Sequence, residues 1–240
     1  MPRLDVLVTQ SGLAESRERA QALILAGKVR VAGETVRRPD RSVSEGASIS
    51  VESGPDYASR GALKLGPALD RFGVEPSGKV CADIGASTGG FTDILLRRGA
   101  TRVFALDVGR GLLHWRIRQD PRVVVIERVN AREMGPFPER VQLVVIDVSF
   151  ISLDKVLPAV LRAAPGAEVV ALFKPQFEVG RSEVGKGGIV RDPSAVEAAL
   201  ARFCEWCEGN GYTVLATAPS EVAGAEGNRE IFAHLRPVRP

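Results

Sequence analysis

Cys81-Ala82-Asp83-Ile84-Gly85-Ala86-Ser87-Thr88-Gly89-Gly90-Phe91-Thr92 joins a short apolar run, Val80 to Ile84, to a helical pattern carried by Phe91, Ile94 and Leu95. Small residues fill the turn between them, and a carboxylate, Asp83, stands at the end of the strand. Glycine lets the backbone approach a ligand closely, and the helix that follows offers unpaired N–H groups and the positive end of its dipole. Such a turn holds the polar tail of a cofactor. About twenty residues on, Val103-Phe104-Ala105-Leu106-Asp107 is a second apolar run ending in a carboxylate, a place from which an acid takes both hydroxyls of a ribose.

The glycine spacing narrows the cofactor. Dinucleotide folds want G-x-G-x-x-G, whereas the glycines here stand at 85, 89 and 90, and no G-x-x-x-x-G-K-[ST] phosphate loop occurs. An acid, Gly-x-small-x-Gly-Gly, then an acid ending the second strand resembles the S-adenosylmethionine site of Rossmann-like methyltransferases. The competing reading is a tight β–α turn that holds nothing.

The chain has 240 residues, enough for one large domain or two modest ones. No apolar run approaches the ~20 residues that span a bilayer. Met1-Pro2-Arg3-Leu4-Asp5 opens without an apolar segment, so no signal peptide is visible and the cytoplasm is expected. A net charge of +3 is too slight to establish nucleic-acid binding. Three cysteines, an odd count, argue against a disulfide framework. Cys204-Glu205-Trp206-Cys207 spells C-x-x-C, but it lies late in an amphipathic helical stretch with no second such pair, and the histidines are only His114 and His234. Two small helix-face residues are expected there, and no metal site.

The first fifty-odd residues read as a unit of their own. Arg3 to Gln10 is a short helical pattern closed by Gly12; Ser16 caps a second helix that Gly27 ends. Short strands follow at 29–31, 34–36 and 49–51. Between Arg17 and Arg41 lie seven basic residues against three acidic ones. That excess suits either a solvated face or nucleic acid. Arg3-Leu4-Asp5, then Ser16-Arg17, then Ala26-Gly27-Lys28-Val29 and Val31-Ala32-Gly33, resembles the S4 RNA-binding module over residues 2–52. The resemblance implies that Arg3, Arg17, Lys28 and Arg30 belong to an RNA face, touching mainly phosphates.

Ser53-Gly54-Pro55-Asp56-Tyr57-Ala58 interrupts both helix and strand, so the expected division is 1–53, a linker at 54–58, and 59–240. Beyond it, strands expected at 79–84, 101–107, 122–126, 141–147, 167–173, 212–218 and 229–236 alternate with helices at 88–98, 110–119, 152–164 and 193–208. The fold class is α/β: a mostly parallel, seven-stranded Rossmann-like sheet with helices on both faces, preceded by the small α+β module. Ligands then bind beyond the strands' carboxyl ends.

Asp83, Asp107, Asp147 and Lys174 stand at or just after such ends, and four charged residues attract attention: Lys64 in Ser59-Arg60-Gly61-Ala62-Leu63-Lys64-Leu65, on the helix before the first strand; Asp147 in Ile146-Asp147-Val148-Ser149-Phe150; Lys174 in Phe173-Lys174-Pro175-Gln176-Phe177-Glu178; and Glu230 in Gly227-Asn228-Arg229-Glu230-Ile231-Phe232, at the start of the last strand. Singly, each suits a chain end meeting water. Together, the order Lys, Asp, Lys, Glu resembles the tetrad of FtsJ-type ribose 2′-O-methyltransferases, and the S4 module in front narrows this to the TlyA, or hemolysin A-like, ribosomal RNA methyltransferases. Gly180 to Asp192 also fits that family.

The resemblance implies S-adenosylmethionine as cofactor, with Asp83, Gly85, Ser87 and Gly89 on its methionine portion, Asp107 on its ribose, and Asn130 near its adenine. It implies Lys174 as the base that deprotonates a ribose 2′-hydroxyl. Lys64 and the cofactor's sulfonium favour its neutral amine, while Asp147 and Glu230 oppose them and orient the lysines. Arg60 and Arg128 flank the expected mouth and suit substrate phosphates. The Gly180–Val190 loop is long enough to cover a nucleotide. The implied substrate is a cytidine in ribosomal RNA or a ribosomal subunit. The chain ends soon after its last strand, which in this family points to the large-subunit RNA, with the small subunit as the alternative. No membrane partner is expected; a monomer is compatible with the sequence, which leaves the oligomeric state open. The rival readings are a non-catalytic RNA-binding assembly factor and, further off, a membrane-active hemolysin.

Overall fold

The computed structural model describes residues 2–44, 46–51, 57–224 and 227–238. Contacts divide the chain into two compact units, Met1–Asp56 and Tyr57–Pro240. Residues 54–56 of the expected linker lie outside the described residues. Tyr57 and Ala58 pack within the second unit: the Ala58 amide donates to Asp93 Oδ2 at 2.8 Å, and Arg97 lies over the Tyr57 ring.

The first unit holds α1 (Leu4–Gln10), α2 (Arg17–Leu25), β1 (Val29–Val31), β2 (Glu34–Val36) and β3 (Ile49–Val51). The Ser16 hydroxyl accepts from the Arg19 amide at 3.1 Å, the N-cap expected from its place before the helix. β1 pairs antiparallel with β2 on one side and β3 on the other. Leu4, Val8, Ala20, Ile24, Val29 and Val31 fill a small core between helices and sheet.

The second unit opens with α3 (Gly61–Phe72), then β4 (Val80–Ile84), α4 (Gly90–Arg97), β5 (Arg102–Asp107), α5 (Trp115–Arg118) and β6 (Val123–Glu127). It continues with β7 (Leu143–Ile146), α6 (Leu153–Ala163), β8 (Glu168–Phe173), α7 (Pro175–Glu178), α8 (Pro193–Gly209), β9 (Tyr212–Pro219) and β10 (Ile231–Pro237). The sheet has seven strands in the order β6-β5-β4-β7-β8-β10-β9, parallel except for β10, which runs against both neighbours. Both faces are covered, and the strands read as apolar runs for that reason. Alternation along β4 sends Ala82 and Ile84 into the core under α6 and α8, and Cys81 into the core under α3 and α4.

The helix expected over 110–119 is only α5, Trp115–Arg118. The preceding residues are held as a loop by carboxylates. Asp107 Oδ1 accepts from the Gly109 amide at 2.7 Å, and Glu127 Oε1 from the Gly111 amide at 2.8 Å. With two glycines already unfavourable to helix, those bonds decide the outcome.

Candidate active site

The strand order reverses between β4 and β7, the place where an open sheet leaves a crevice beyond its carboxyl ends. Gly85 leaves β4 with φ +86°, and a Cβ there would run into the Asp147 carbonyl that follows β7. Only glycine lets the two strand ends lie so close. Gly89, φ +93°, starts α4, and a Cβ there would meet Leu113 at 2.8 Å. Ser87 between them also has positive φ, +48°, an uncommon state for a residue with a side chain.

A cleft of about 190 Å³ opens above this turn, lined among others by Arg60, Lys64, Gly85, Ser87, Phe91 and Asp147. Of the four expected residues, Lys64 and Asp147 line it, and each has an ion-pair partner from a distant segment that lies outside the lining. Lys64 Nζ, from α3, donates to Glu230 Oε2 at 2.6 Å, just before β10. Lys174 Nζ, at the end of β8, lies 2.6 Å from Asp147 Oδ1 and donates to Ser149 Oγ at 3.0 Å. Each lysine therefore has its own acid. Glu230 and Lys174 are buried, with 3% and 9% of their surface exposed, so these pairs interact with little screening.

The expected cofactor positions divide. Ser87 and Gly85 line the cleft, but Asp83 is wholly buried beneath it. Asp83 Oδ2 accepts from the Thr92 hydroxyl at 2.7 Å, bracing the start of α4, while Oδ1 has no partner. Burial pushes this carboxyl up to about 7, against the bond from Thr92 and with repulsion from Asp147 and Asp107 behind it. Asp107 Oδ2 accepts from the Ser87 amide at 2.8 Å, tying the turn to the end of β5. It lines a second hollow of about 10 Å³ with Gly109, Leu112 and Glu127. That volume holds roughly one water.

Asn130 is exposed and lines neither cavity; its Oδ1 accepts from the Arg132 amide at 3.1 Å. Arg128, also exposed and outside both, gives its amide to the Gly109 carbonyl. Sequence reasoning passed over Ser149, Glu127 and Phe150. Phe150 has φ +64°, is 90% exposed, and leans on Phe177 with ring centres 5.2 Å apart. Its one visible signal was its place three residues after Asp147.

In the first unit, Asp5 is wholly buried and accepts from three side chains through four donors: Arg3 Nε and Nη2, Arg17 Nε, and Gln21 Nε2 at 2.7 Å. The hydrogen bond from Arg3 does most to hold its carboxyl well below the usual range, outweighing burial. Two of the expected RNA-face arginines are thus fixed by one internal acid. Lys28, just before β1, and Arg30, within it, are exposed. Among the described residues no cluster of His, Cys, Asp or Glu is arranged to hold a metal, and no helix is long and apolar enough to cross a membrane. Cys204 and Cys207 are free thiols on α8.

Comparison with known proteins agrees with this arrangement. Residues 57–236 match the FtsJ-like methyltransferase family and residues 2–49 the S4 domain. The 16S/23S rRNA (cytidine-2′-O)-methyltransferase TlyA of Mycobacterium tuberculosis (strain CDC 1551 / Oshkosh) is 46% identical, over 98% of this chain and 89% of its own. Hemolysin A of Brachyspira hyodysenteriae is 42% identical, over 97% and 99%. A solved structure of a hemolysin-named protein from Streptococcus thermophilus has a TM-score of 0.78 and 41% identity, covering all of this chain and 90% of that one. With both domains matched in order, and relatives of this identity spanning nearly its whole length, the chain belongs to the TlyA family of S4-containing, FtsJ-like methyltransferases.

Proposed function

We propose that this protein methylates the 2′-hydroxyl of a cytidine in ribosomal RNA, using S-adenosylmethionine. The observation that carries the reading is the pairing of Lys64 with Glu230 and of Asp147 with Lys174 around one cleft beside Gly85. A buried carboxylate oxygen without a partner on Asp83, a glycine floor that admits no Cβ, and the Asp107 carboxylate at the end of β5 suit the cofactor. When bound, S-adenosylmethionine supplies a methyl group on a sulfonium, already a strong electrophile.

The protein's task is then deprotonation, alignment and charge placement. Lys174 Nζ, in its neutral form, takes the 2′-hydroxyl proton. Asp147 and Ser149 hold that amine in place, and Lys64 steadies the alkoxide while Glu230 holds Lys64. Arg60, exposed at the cleft wall, suits a phosphate of the substrate, and Phe150 offers an open face to a neighbouring base. The S4 unit adds affinity through phosphate contacts. Both ion pairs come from one chain, so the reading needs no second copy, and its substrate belongs to the cytoplasm. The test is to incubate purified protein and cofactor with small subunits, large subunits and naked rRNA, then map ribose methylation. Methyl transfer is expected, and Lys174→Ala is expected to bind cofactor normally and transfer none. Full activity in that variant would remove Lys174 as the base.

A further inference from the structure

Asn228 is 2% exposed, and its side-chain amide is used at both ends by the same segment. Its Oδ1 accepts from the Val190 amide at 2.9 Å, and its Nδ2 donates to the Gly188 carbonyl at 2.8 Å. The amide thus imitates a backbone partner for the glycine-rich stretch 180–190. That stretch is otherwise secured by its own turns: the Gly188 amide donates to Gly185, and Gly185 donates to Ile189. Most of it is exposed, including the cations Arg181 and Lys186.

On its other side Asn228 adjoins the tetrad. Its carbonyl accepts from the Gly224 amide at 3.0 Å, and a Cβ on Gly224 would lie 2.6 Å from Glu230 Oε1. Glu230, two residues on, is the group that holds Lys64. Nothing in the mechanism above uses Asn228. Yet a buried amide with both ends satisfied by one loop fixes that loop rigidly, since losing either bond strands a polar group away from water.

We infer that Asn228 is a positioning residue for methyl transfer: it sets the loop 180–190 and the Glu230–Lys64 pair in register with one another. The inference rests on the enzymatic reading above. A loop that bears cations and is tied to the segment carrying Glu230 would then meet the RNA in the geometry that the two ion pairs require. Misplacement of about an ångström is enough to cost a reaction about a hundredfold.

The test compares wild type with Asn228→Ala and Asn228→Asp, using whichever ribosomal substrate the wild type methylates. The Asp variant keeps the shape and the acceptor but cannot donate to Gly188. In both, kcat is expected to fall about tenfold to a hundredfold. S-adenosylmethionine affinity by calorimetry is expected to stay within about twofold, which a merely structural role would not allow. Hydrogen exchange is expected to quicken at Val190 and not in the strand β4. The inference is overturned by a kcat within about twofold of wild type, or by a fall in kcat matched by equal loss of cofactor affinity. If the Ala variant does not fold, the Asp variant decides by the same criteria. A wild-type protein that methylates no ribosomal RNA would instead sink the enzymatic reading, and this inference with it; exchange at Val190 would still report whether the clamp exists.

Discussion

Burial pushes Asp83 up to about 7, well above the ordinary carboxylate range, and this has a consequence for stability with a definite sign. Between about pH 4 and pH 7 the unfolded chain has released that proton while the folded protein keeps it. Folding therefore takes up a proton, and stability contributed at this site falls as pH rises through the window, levelling above it. Asp83→Asn removes the effect, so its melting temperature is expected to gain on wild type from pH 5 to about pH 7 and to level off by pH 8. A difference that does not change with pH would reject the idea; the similarly raised Glu178 acts equally on both proteins and cancels. The Lys64–Glu230 pair makes a second prediction. Glu230→Ala leaves Lys64 without its acid and is expected to destabilise by ~3–5 kcal/mol in urea, whereas Lys64→Met with Glu230→Leu is expected to restore most of that. Equal losses in both would mean that packing, not charge, dominates there. The four charged residues were legible in the sequence because each sits in a recognisable motif. Ser149 and Asn228 were not, because the partners that make them matter lie 25 to 40 positions away and are found only by folding.

Between β5 and α5, local pattern and tertiary bonding disagree, and the disagreement falls on the cofactor's expected path. Residues 110–119 have helix-like spacing, but Asp107 and Glu127 bind the amides of Gly109 and Gly111, leaving four residues of helix. By contrast α2 and α8 start at side-chain caps, Ser16 and Asp192, and run where their sequence pattern set them. The same loop supplies Leu112 and Leu113 to the lining of the small hollow beside Asp107 and leads directly into Trp115, which is 60% exposed. On the proposed reading a nucleoside beside Asp107 needs more room than this hollow offers, so binding is expected to shift the loop and the shift to reach the indole. Titration with S-adenosylmethionine should therefore change tryptophan emission in wild type and in Trp206→Phe, and leave Trp115→Phe silent. A response that survives in Trp115→Phe and vanishes in Trp206→Phe would place the rearrangement on α8 instead.

The order of strands and helices in both units was readable from alternating apolar runs and glycine punctuation, down to the three short strands of residues 29–51. What the pattern could not supply was which basic residues are committed internally. Arg3 and Arg17 share the buried Asp5, so replacing either disturbs the unit that bears it as well as any RNA contact. Lys28, just before β1, and Arg30, within it, are exposed, and the two serve as probes of electrostatic binding. Each phosphate contact releases counterions from the RNA, so affinity falls with salt in proportion to the number of contacts. Lys28→Ala with Arg30→Ala is therefore expected to weaken binding to ribosomal RNA at low salt. It should also reduce the slope of log affinity against log salt by about 2, one for each contact removed. Cofactor affinity should not change, because those side chains belong to a different compact unit from Gly85 and Asp107. An unchanged slope with weakened affinity would mean that the two side chains support the fold of the S4 unit. An unchanged slope with unchanged affinity would move the RNA-binding face away from β1 altogether.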